Sequence, residues 1–144
     1  MFKEIIQKKH YSFHKGFATW QEAVRAACQP LLADKTIEAI YPEEIIAKVE
    51  ELGPYIVIAP DICIPHAQEG VGVNDTAICF MKTEETVHFS PDGEHGARLF
   101  FVLASVDNEV HLANLCEMSE ALSDEAIVEK LLQAHAVEDL QGLE

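Results

Sequence analysis

Two hydrophobic spacings alternate along this chain, and the alternation confines it to a layered α/β structure. Thr19 and Glu22 fit a capping box, and behind them Ala23, Val24, Ala27, Cys28 and Leu31 recur at helical spacing. Pro30 complicates the end of that helix, since an interior proline kinks or stops a helix. A second helix is expected with Pro42 at its first position and Glu43 and Glu44 favouring the positive end of its dipole. Ile45, Ile46, Val49 and Leu52 form its apolar face, and Gly53-Pro54 ends it. Tyr55–Ala59 then reads as a short buried strand, followed by Ile62-Cys63-Ile64. Thr76–Met81 and Leu99–Ala104 are further strands, with 83–97 a polar loop or a weakly paired hairpin. Asp107 or Asn108 caps a third helix with Leu112, Leu115, Ser119 and Leu122 on one face. Ser123 caps a fourth helix ending near Ala134, and Ala136–Leu143 forms a short last one. No repeat or linker interrupts the 144 residues, so one domain is expected over 1–144.

Charge narrows the partners. The formal net charge is -15, from 25 acidic and 10 basic residues. Residues 73–144 hold fifteen of those acids and three of the bases. Such a surface repels phosphate backbones and anionic lipid, which excludes a nucleic-acid binder built on basic patches and favours basic protein partners. The four cysteines show no C-x-x-C pair and are expected to be buried thiols in a reducing compartment. The first residues lack the apolar stretch of a secretory signal, and no run approaches the length of a membrane span. A cytoplasmic location is expected, where the Asn74-Asp75-Thr76 sequon carries no glycan.

Two of the seven histidines stand in informative contexts. His66 follows the apolar run Ile62–Ile64 and a stiffening Pro65, at the strand end where open α/β sheets place their sites. A nucleophilic imidazole needs such support: a neutral ring, one tautomer and one exposed nitrogen. His111 falls in the first turn of the helix capped by Asp107, where free amides and the dipole favour an anion. There it can donate a hydrogen bond to a phosphate or developing oxyanion. Each fits equally an ordinary polar position. His66, His111 and Cys63 are also metal-ligand types, but no H-x-x-x-H or C-x-x-C supports a metal site. Serine-hydrolase, P-loop and dinucleotide-binding motifs are absent.

The run Gly53-Pro54-Tyr55-Ile56-Val57-Ile58-Ala59-Pro60, then Ile64-Pro65-His66-Ala67 and Glu69-Gly70-Val71, resembles the IIA components of the bacterial phosphoenolpyruvate-dependent sugar phosphotransferase system (PTS), of the mannitol/fructose class. The ascorbate-specific branch is the nearest. The likeness continues through Ala104–Leu112 and, with Thr19–Val24, spans about residues 15–135. It implies the mannitol-type IIA fold, an α/β three-layer sandwich with a mixed sheet and helices on both faces, and no cofactor or metal. It implies that His66 accepts a phosphoryl group from the phosphocarrier protein HPr and passes it to a cysteine of the cognate IIB component. The membrane component IIC takes part only indirectly, and the chain itself does not insert in the membrane. His111 matches the histidine that orients the phosphoryl group. A stand-alone regulatory module that senses phosphorylation state is the alternative. Mannitol-class members carry an upstream arginine; the corresponding stretch here is Ala47-Lys48-Val49-Glu50-Glu51, which leaves charge stabilisation to His111 and backbone amides. Ile64 and Ala67 are expected at the centre of the docking surface.

Overall fold

Apolar side chains along the central parts of the two longest strands alternate between two separate cores. The computed structural model describes residues 1–143. Its elements are α1 (Phe2–Lys8), β1 (Tyr11–His14), α2 (Trp20–Ala33), α3 (Ile40–Leu52), β2 (Val57–Ala59), β3 (Asp61–Cys63), β4 (Ala77–His88), β5 (Gly96–Ala104), α4 (Asn108–Leu122) and α5 (Glu125–Leu132), closed by a 3-10 turn at Val137–Leu140. The five strands form one mixed sheet in the order β1-β4-β5-β3-β2. The β1–β4 and β3–β5 pairs are parallel; β4–β5 and β2–β3 are antiparallel.

Because successive strand residues face opposite ways, Cys79, Met81, Phe100, Val102 and Ala104 meet α2 and α3 on one face, whereas Phe80, Leu99, Phe101 and Leu103 meet α1, α4 and α5 on the other. The central strand β5 is therefore buried on both sides, which is why Leu99–Ala104 reads as an unbroken apolar run. The expected three-layer arrangement is what the chain adopts.

Several boundaries differ from expectation, each for a tertiary reason. Pro30 lies inside α2, which continues to Ala33 because Leu31 is fully buried and holds the last turn. Pro42 is the third residue of α3, not the first; amides of a first turn have no intrahelical acceptor, so a proline there still forfeits none. Tyr55–Ala59 is not a buried strand: only Val57–Ala59 is extended, at a partly exposed sheet edge. Residues 83–97 are hairpin rather than loop, with Val87 opposite Ala97 and His88 opposite Gly96 beyond an irregularity after Lys82. On α4 the buried residues are His111, Met118 and Leu122, whereas Leu112 and Ser119 are exposed. Asp124, not Ser123, caps α5, its carboxylate accepting from the Ala126 amide. Cys28, Cys63 and Cys79 are buried, but Cys116 is exposed. The sequence reading did not anticipate α1 or β1; Phe2 and Ile5 bury against the sheet, and β1 pairs with a strand far along the chain.

Candidate active site

Parallel strands place their carboxyl ends at one edge of a sheet, and β3 and β5 do so here. Pairing continues past β3: the Ile64 amide donates to the Ile56 carbonyl (2.8 Å) and the Leu103 amide to that of Pro65 (3.0 Å). The next residue is His66. Beyond β5 come Ser105 and Asp107, whose carboxylate accepts from the Val110 amide (2.9 Å) and starts α4. The Asp107 carbonyl takes the His111 amide, so His111 stands in the first turn. The His66 and His111 rings meet with centroids 5.4 Å apart and planes at 47°.

His66 is oriented by its own backbone. Its Nδ1 lies 2.6 Å from the Ile64 carbonyl oxygen, which can only accept, so the proton sits on Nδ1 and the Nε2 lone pair is left unused. That Nε2 reaches solvent, because the one buried side-chain polar atom lacking a partner among the described residues is Ser12 Oγ. Burial lowers the ring's pKa below the usual 6.5, and His111 adds to this, whereas the Ile64 carbonyl and Glu69 pull the other way. The ring is accordingly held neutral.

Two tyrosines brace the segment. The Tyr55 hydroxyl donates to the His66 carbonyl, and its ring stands edge-on to the imidazole at 5.3 Å. The buried Tyr41 hydroxyl donates to the Leu103 carbonyl (2.6 Å) and accepts from the Ala67 amide (3.1 Å), tying both flanks of the site together. Burial raises both phenols, Tyr55 to about 12, so they stay protonated donors. Gly70 closes the loop: its amide donates to the Ser105 carbonyl (2.8 Å), its φ is +81°, and a Cβ there would lie 3.2 Å from the Val106 carbonyl oxygen.

The other half of the site is His111, whose ring Nδ1 lies 3.0 Å from Ser105 Oγ while its Nε2 has no partner among the described residues. Both unpartnered Nε2 atoms thus belong to adjacent rings at a helix N-terminus. Ile64 and Ala67 do not form an exposed centre: both are buried, and the exposed apolar residues of these segments are Val71, Val106 and Leu112. Cys63 points into the core beneath α2 and α3, away from any ligand set with the histidines, and no group of three metal-ligating residues gathers among the described residues. Sequence reasoning missed the roles of Tyr41, Tyr55 and Ser105; hydroxyls that act through backbone or ring partners leave no spacing signal.

A family model described as "Phosphoenolpyruvate-dependent sugar phosphotransferase system, EIIA 2" matches residues 4–143. The ascorbate-specific PTS system EIIA component of Mycoplasma pneumoniae is 28% identical over 133 residues, covering 91% of this chain and 83% of that one. Among solved structures, the mannitol-specific cryptic phosphotransferase enzyme IIA CmtB of Escherichia coli superposes with a TM-score of 0.88 at 27% identity, covering 99% of this chain and 96% of the other. Enzyme IIA for mannitol in complex with phosphorylated enzyme IIB, also from Escherichia coli, superposes with a TM-score of 0.81 at 26% identity, covering 94% and 93%.

Proposed function

This chain belongs to the EIIA 2 family of the phosphoenolpyruvate-dependent sugar phosphotransferase system, and on that footing we propose that it relays a phosphoryl group through His66 Nε2. The donor is phosphorylated HPr and the acceptor a cysteine of the cognate IIB component, in the uptake of ascorbate or a similar substrate. The ascorbate-specific relatives support that substrate, and the solved mannitol IIA–IIB complex supports the IIB partner. The observation that carries the reading is the Nδ1 contact to the Ile64 carbonyl, which places the ring proton on Nδ1 and the lone pair at the open nitrogen.

The chemistry balances without moving a proton at His66. Its Nε2 lone pair forms a bond to phosphorus as the N–P bond to the donor imidazole breaks and that electron pair returns to the donor. Nδ1 keeps its proton throughout. In the second half, a thiolate of IIB attacks phosphorus and the pair returns to His66 Nε2. Transfer of this kind asks for positioning and charge stabilisation rather than acid-base work. Among the described residues, the Glu69 carboxylate acts on the His66 ring and no lysine or arginine does. Charge from the incoming group, about -2, therefore falls to His111 and the first-turn amides of α4.

The test is to incubate the protein with phosphoenolpyruvate, enzyme I and HPr and weigh it intact. One acid-labile phosphoryl group is expected on the wild type and none on His66→Ala. Undiminished labelling of His66→Ala would falsify the assignment.

A further inference from the structure

We infer that Ser105 is a positioning residue that fixes His111 as its Nε2–H tautomer, making this ring a hydrogen-bond donor toward the group that His66 carries. The inference rests on His66 as the phosphoryl carrier and concerns what prepares its neighbour.

Proton accounting supports it. Ser105 is buried, and among the described residues its hydroxyl has one hydrogen-bond partner, His111 Nδ1 at 3.0 Å. A neutral imidazole has one N–H and one lone pair, so the contact can run either way. If His111 Nδ1–H donated to Ser105 Oγ, the hydroxyl hydrogen would be buried without an acceptor, which costs the full desolvation of that group. If Ser105 Oγ–H donates to Nδ1, its hydrogen is used, and the ring proton sits on Nε2. Nε2 reaches solvent, where water serves it in the resting protein. Only the second arrangement satisfies every buried group.

Ser105 is itself held in place. It follows β5 directly, and its carbonyl accepts from the Gly70 amide, while the Val106 amide donates to Thr76 Oγ1 (3.2 Å). The hydroxyl is thus fixed by the same strand end that faces His66. The two rings consequently take opposite tautomers: His66 carries its proton on Nδ1 and offers a lone pair, and His111 carries its proton on Nε2 and offers a donor. A lone-pair nitrogen at His111 would instead repel phosphoryl oxygens. The complementary pair does part of the work that a nearby cation would do, without raising the charge of a site whose carrier must remain neutral.

The experiment reads tautomers directly. Long-range nitrogen–proton NMR spectra of the full chain, with labelled histidine at pH 8, should show His111 as the Nε2–H form and His66 as the Nδ1–H form. Ser105→Ala should convert His111 to a mixture of tautomers. It should also slow phosphoryl transfer to IIB by roughly threefold to tenfold, the rate equivalent of one neutral hydrogen bond. A wild-type His111 in the Nδ1–H form, or a Ser105→Ala protein that keeps a pure Nε2–H ring and wild-type transfer, overturns the assignment. The spectrum needs no phosphoryl transfer. Failure of His66 to take up label would therefore remove the relay reading while leaving the effect of Ser105 on the ring still measured.

Discussion

At the carboxyl end of β3 and β5, His66 is oriented by a backbone carbonyl and His111 by a hydroxyl. At the other end of the sheet, His135 meets a carboxylate. Its Nδ1 lies 3.0 Å from Glu84, which also takes Lys82 Nζ at 3.0 Å and lies 3.9 Å from Arg98. Lys82 is fully buried, and among the described residues Glu84 is its one hydrogen-bonded partner. His10, beneath α2, is likewise bound to Asp34. The contrast is one of charge. A carboxylate partner ties down a ring nitrogen, which suits a brace between elements. Neutral partners set the tautomer while the other ring nitrogen stays available for chemistry.

The sharpest way to break this contrast is at His111. In His111→Ala, labelling by HPr should survive, whereas onward transfer to IIB should fall by about a hundredfold to a thousandfold, the usual weight of one positioned donor. Normal onward transfer in that variant would strip His111 of its role, and complete loss of labelling would make it as essential as His66.

The next test is the titration of His66 itself. Burial lowers its folded pKa, so its NMR midpoint should fall below 6.5, the value of an unperturbed histidine. The unfolded chain then takes up this proton first as the pH falls. Stability referred to this group is complete above pH 6.5 and declines as the pH drops from 6.5 toward the folded value, below which the loss is constant. His66→Gln should flatten that decline, though not remove it, because burial also lowers His14. A midpoint above 6.5 would mean that burial does not govern this ring.

The smallest effect on transfer is expected at the far end. Glu84→Ala should lower the thermal midpoint, since it leaves a buried ammonium without its partner, but phosphorylation by HPr should proceed at the wild-type rate. A slowed rate would mean that the charge cluster is coupled to the site across the sheet.

How much of this was legible in sequence follows from range. A strand end and a helix cap are local patterns, so the placement of His66 and His111 could be read from Ile62–Ala67 and Asp107–His111 alone. The stripe on α4 could not. Leu112 looks like a core residue at helical spacing, yet it is exposed while His111 is buried, because the site end of the sheet and not hydrophobicity sets that helix's rotation. The hydroxyls of Tyr41, Tyr55 and Ser105 were equally silent, as their partners lie on other segments or in backbone atoms.

The sequence by itself determined the layers, the two histidines and the acidic surface, all of which depend on composition or on spacing within one element. The tertiary structure decided what those histidines can do. Parallel pairing of β3 with β5 brings residues 66, 105 and 111 to one edge. There a carbonyl and a hydroxyl, each placed by a different strand end, assign the ring protons. Tautomer is a property of contacts across the fold, and no spacing along the chain encodes it.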